Sequence, residues 1–116
     1  MASLALILLT GLSACASAPP DFNSPEPAAR NAAIVRAARD KDQSAIPDLI
    51  RMLDSDDPTT RVLAIRTLER LTGQTHGYDP EADAASRSRA VDEWTSWCEG
   101  RGSGGESGSV SPKAGA

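Results

Sequence analysis

The side chains with the greatest chemical reach fall into five groups. His76, Tyr78 and Asp79 share the longest internal loop, and an imidazole beside a carboxylate could offer acid–base chemistry near neutral pH. One histidine without a nearby nucleophile or second ligand is thin ground for catalysis. The preferred reading is a turn with Gly73 and Gly77, closed by a tyrosine lid over the helices. Asp54, Asp56 and Asp57 form an acidic cluster, yet it lacks the spaced ligands, glycine turn and distal Glu of an EF-hand loop. Capping of a helix that starts at Pro58 is their expected role. Arg61, Arg66 and Arg70, with Arg30, Arg36 and Arg39, could form an anion-binding face or a solvated one paired with neighbouring acids. Trp94 and Trp97 lie three apart, either as core filler or as an exposed anchor for a partner. A small Ala-rich domain needs their bulk, which favours the core. Cys15 and Cys98 make an even count, which in a secreted chain first suggests a disulfide. No Gly-rich phosphate loop, paired-Cys metal spacing or nucleophile elbow is present. The expectation is therefore no catalytic, cofactor or metal site, and no enzyme.

Composition narrows what can position these groups. A chain of 116 residues holds one small domain at most. Aromatics are 3% of the residues, so Ala, Leu, Ile and Val must build most of the core. That suits close-packed helices better than sheets, which favour β-branched and aromatic side chains. The formal charge of −4 lies entirely after the first 14 residues and offers no basic footprint for nucleic acid. From Gly100 onward the sequence Gly-Arg-Gly-Ser-Gly-Gly-Glu-Ser buries too little surface to offset its ordering entropy. A disordered tail is expected over 100–116.

Residues Leu4–Leu12 form an apolar run of signal-peptide length, shorter than the ~20 residues a bilayer span takes. Leu12-Ser13-Ala14-Cys15 resembles the lipobox of bacterial lipoproteins. The resemblance implies removal of 1–14, a diacylglyceryl group on the Cys15 sulfur and acylation of the new amine, hence a membrane anchor. Residue Ala16, being other than Asp, implies the periplasmic face of the outer membrane. Lipidation of Cys15 would rule out its pairing with Cys98, which is then a part-buried free thiol. Two alternatives stay open: ordinary cleavage after Ala16-Ser17-Ala18, which would leave Pro19 at the cut, or an uncleaved anchor. Residues 15–23 form the lipidated tether.

An internal repeat organises residues 24–99. Ser24-Pro-Glu-Pro27-Ala-Ala-Arg30-Asn-Ala-Ala33-Ile34 matches Ser55-Asp-Asp-Pro58-Thr-Thr-Arg61-Val-Leu-Ala64-Ile65. A weaker copy runs Asp83-Ala-Ala-Ser-Arg87-Ser-Arg-Ala90-Val91. Ser24 and Asp57 are suited to N-caps, and a proline in the first turn loses no hydrogen bond. The acid four residues before each Arg predicts i,i+4 ion pairs, Glu26–Arg30 and Asp57–Arg61. Apolar residues at 46, 49, 50 and 53 make one helical stripe with Ser44 as its cap, and Gly73 is the expected stop of the helix before it. The pattern predicts four helices, near 25–39, 45–54, 58–72 and 84–99.

The stretch Ala45–Leu68, with its Leu-rich first helix, Asp57-Pro58 junction, Arg61 and Ala64, resembles a HEAT repeat of the HEAT-like sort also seen in phycobilin lyases. The resemblance implies an all-α, short HEAT-like α–α superhelix of about four helices. It also implies a non-enzymatic scaffold that binds a protein partner, with Arg61, Arg66, Arg70, Trp94 and Trp97 as candidate contacts. A small enzyme or lyase-like accessory using the His76–Asp79 loop, or a purely structural envelope lipoprotein, are the alternatives.

Overall fold

The computed structural model describes residues 18–107, with side chains through Gly102. All regular structure in that span is helical: α1 (Pro27–Asp40), a 3-10 turn (Gln43–Ala45), α2 (Ile46–Met52), α3 (Pro58–Thr72) and α4 (Ala84–Ser107). The all-α expectation holds, with four helices close to their expected places. The leader, Cys15 and residues 108–116 lie outside the described residues.

Local chemistry explains each boundary. Proline opens α1 and α3, where its preset φ suits the first turn. Asp57 caps α3 by accepting a hydrogen bond from the Thr60 N–H at 2.9 Å. Gly73 ends that helix at φ 75°, a left-handed conformation that glycine adopts without strain. Two expected caps are corrected. Glu26, not Ser24, holds the N-cap position of α1, and its side chain makes no capping bond; Ser24 Oγ instead accepts the Glu26 N–H at 3.1 Å. Ser44 is not a cap either. The chain enters α2 through the 3-10 turn, so the Asp42 carboxylate accepts both the Ser44 N–H and its hydroxyl.

The end of α4 is a further correction. Glycine-rich composition predicts a tail from Gly100, but the helix runs on to Ser107. The first extra turn has tertiary support: the Arg101 guanidinium lies 5.3 Å from the Trp97 ring centre and donates to Gln43 Oε1 at 3.1 Å.

The helices form two layers. α1 packs on α3, α2 packs on α3, and α4 packs on α2. The small residues of the repeat allow the close approach: Ala33, Ala37 and Ala64 are buried, flanked by Ile34 and Ile65. Leu49, Leu53, Leu68 and Trp94 fill the centre with no exposed surface. The third sequence copy keeps its local pattern in α4, but its helix joins α2 rather than extending the α1–α3 layer. Its Ala90 and Trp94 are buried in the same core, closing a stack of two helical pairs.

Candidate functional site

The repeated arginine is a structural clamp in all three copies. Arg30 Nη1 donates to the Ser24 and Pro25 carbonyls, both at 2.9 Å. Arg61 Nη1 repeats this with Ser55 and Asp56, at 2.9 and 3.2 Å, and its Nε reaches the Pro80 carbonyl. Arg87 Nη1 donates to the Ala82 carbonyl at 2.6 Å. Each guanidinium reaches back five or six residues and ties down the loop before its own helix. The predicted Glu26–Arg30 and Asp57–Arg61 ion pairs do not form. Asp57 is occupied by Thr60, whose N–H and hydroxyl both bond its carboxylate, and those bonds hold its pKa below the usual 3.8. Asp83 is lowered likewise, chiefly by the Ser86 N–H. The Arg61 guanidinium, half-buried, is thus engaged by backbone carbonyls rather than by a carboxylate.

The loop after α3 does not assemble an acid–base centre. Tyr78 is 6% exposed, and its hydroxyl donates to the Leu53 carbonyl at 2.6 Å, closing α2 against α3. Burial raises its pKa above 10.0. Asp79 turns its carboxylate to the Glu81 N–H. His76 sits at φ 50° with its imidazole edge-on to Trp94, centroids 4.5 Å apart, and 5.6 Å from Trp97. Its Nε2 is buried and finds no hydrogen-bond partner. The three side chains thus point to three different tasks and present no shared reacting position. Among the described residues no three His, Cys, Asp or Glu side chains gather as a metal-binding group.

Trp94 is fully buried and donates through Nε1 to the Thr75 carbonyl at 2.9 Å, so it cannot anchor a partner. Trp97 is half-buried against it, with Arg101 near the ring.

Two surface features remain open. Arg66 and Arg70 are exposed on α3 and have no carboxylate partner among the described residues. With Arg39 they border a shallow groove between α1 and α3, floored by Val35, Ala38 and Leu63. Val35 is 51% exposed, the one large exposed hydrophobic among the described residues. The second feature is a mostly apolar groove between α2 and α4, lined by Pro47, Ile50, Thr95 and Cys98, with Arg51 and Glu99 at its rim. It continues past Ile46 to Gln43 and Arg101. Sequence reasoning missed this groove because its lining comes from two helices about 50 residues apart. Val35 carried a usable signal: on the α1 wheel it stands opposite the buried Ala33, Ile34 and Ala37.

A family model for HEAT repeats matches residues 22–94, well over half of the chain. No curated protein and no solved structure matches it at a significant level. The matched span begins at Phe22, packed beside the core, and ends at Trp94, taking in both helical layers and the clamp arginines. With paired helices stacked through alanines and a family match over the same residues, this chain belongs to the HEAT-repeat family.

Proposed function

We propose that the protein is a lipid-anchored bacterial envelope protein whose HEAT-repeat module is a non-enzymatic scaffold for another envelope protein. The family supports the scaffold half, since HEAT repeats are helical protein-interaction modules. The lipobox-like Leu12-Ser13-Ala14-Cys15 after an apolar leader supports the anchor. Among the described residues no helix is long and apolar enough to cross a membrane. In this reading acyl chains at Cys15 hold the protein to the membrane, and two or more of them hold a protein stably.

The observation that carries the binding reading is the α2–α4 groove. Its lining is mostly apolar, its rim carries one charge of each sign, and Pro47 and Thr95 stand exposed on either wall. A partner helix or loop placing apolar side chains there would remove that surface from water. The test is crosslinking in intact cells, with the native protein compared to Thr95→Arg and Pro47→Glu. Both substitutions fall on exposed positions and leave the core intact. A crosslinked protein lost in both variants is the expected result. A crosslinking pattern unchanged by either variant would refute the groove as the binding site.

A further inference from the structure

The outer side of the α1–α3 layer takes no part in the α2–α4 groove, yet it combines three unusual features. Val35 is exposed there, Arg66 and Arg70 lack carboxylate partners among the described residues, and the chain leading to Cys15 leaves from the same place. Pro19 and Pro20 line a shallow pocket with Ala32, Val35, Arg36 and Arg39. Cys15 is only three residues before Ala18, a covalent reach of at most about 11 Å. Whatever surface holds the Cys15 sulfur is therefore held close to this face.

We infer that the outer face of α1 and α3 rests on the anionic headgroups of the membrane that anchors Cys15. The inference rests on the anchor of the proposed function. Two arguments select lipid over an acidic protein as the occupant. The tether ends beside this face, so anchoring brings the bilayer to it at high effective concentration. The covalent reach from Ala18 to Cys15 is also comparable to the ~8 Å screening length at physiological salt, so headgroup charge is felt there. Charge on the face is favourable: Arg36, Arg39, Arg66 and Arg70 are opposed by Asp40, which pairs with Arg36 and Arg39, and by Glu69. Arginine stems can lie along the Val35–Leu63 floor while the guanidinium groups reach phosphate. Each arginine near an anionic surface strengthens partition about fivefold, so Arg66 and Arg70 together supply about 25-fold. The α2–α4 groove lies on the other layer and stays open to a partner.

The test uses the acylated full-length protein, extracted from membranes and reconstituted with acyl-chain-quencher vesicles. The vesicles contain phosphatidylcholine with or without phosphatidylglycerol. A fluorophore is placed at Val35→Cys or at Thr95→Cys in a Cys98→Ser background. Quenching at 35 but not at 95 is expected when the anionic lipid is present. Arg66→Gln with Arg70→Gln should lower that quenching while the protein stays vesicle-bound. Equal quenching at both positions, or quenching at 35 indifferent to anionic lipid and to both arginines, would overturn the inference. An unquenched label at 35 with an acidic protein crosslinked to that face would assign the face to protein instead. Intact mass separates the two failures: without acyl chains the anchor reading falls and takes this inference with it.

Discussion

Replacing Tyr78 by Phe is the most economical test of how the two layers are held. The substitution keeps the ring and removes one oxygen. In the native fold that oxygen donates at 2.6 Å to the Leu53 carbonyl, in a residue with no exposed surface at the end of α2. A neutral hydrogen bond contributes about 1 kcal/mol net, and leaving its buried acceptor without a donor costs about 1–3 kcal/mol, so roughly 2 kcal/mol is expected. A domain of about 80 residues has roughly 4–12 kcal/mol in total. The loss should therefore lower Tm by roughly 8–16 °C, since a domain this size moves 4–8 °C per kcal/mol. Urea unfolding followed by helical circular dichroism measures it at neutral pH. Alkaline pH supplies a second reading. Burial raises the Tyr78 pKa above the unfolded value of 10.0, so above that pH the unfolded chain binds fewer protons than the folded one. The stability contributed by the neutral phenol is complete below pH 10.0 and is lost as pH rises toward the folded pKa. The native protein should thus weaken more steeply on this limb than Tyr78→Phe, and the gap between them should narrow. A variant within ~0.3 kcal/mol of the parent at neutral pH, with a parallel alkaline limb, would refute the clamp between layers.

Arg61→Lys keeps the charge but cannot span the Ser55, Asp56 and Pro80 carbonyls, so it should lose roughly 1–3 kcal/mol in urea unfolding, whereas Arg66→Lys should stay within about 0.5 kcal/mol. Equal effects would mean that the repeated arginine is not a clamp. Asp57→Ala should lower the melting temperature by removing the α3 cap. It should also flatten the acid limb: a lowered carboxylate pKa contributes stability above the unfolded 3.8 that is lost as pH falls through the folded value. An acid limb unchanged by the substitution would count against that cap. Trp94→Ala should cost about 3–5 kcal/mol and leave much of the chain unfolded at growth temperature, read as lost helical ellipticity. Retention of a cooperative melt near the parental midpoint would place the core elsewhere.

Legibility from sequence followed the range of the forces involved. The bounds of α3 were readable to the residue because Asp57, Pro58 and Gly73 act on the backbone within one turn. The α2 entry was misread for the same reason in reverse. Asp42 and Ser44 are both competent caps, and only the geometry of the 3-10 turn decides that Asp42 accepts while Ser44 donates. The clamp arginines were visible as a repeat but assigned to the wrong acceptors. Carboxylates four residues away are an obvious partner in sequence, while backbone carbonyls are silent in it. Composition also erred beyond Gly100, where Arg101 finds Gln43 and Trp97 across the fold.

From the amino acids alone came the helical class, the repeat and the lipobox-like cysteine, because periodicity, caps and short motifs are encoded by near neighbours. Tertiary structure alone decided which arginines stay free, that Trp94 is core and that His76 lies edge-on to it, and that an apolar groove opens between α2 and α4. Those outcomes depend on residues brought together from distant parts of the chain, and burial and pairing across such distances are set by packing rather than by local order.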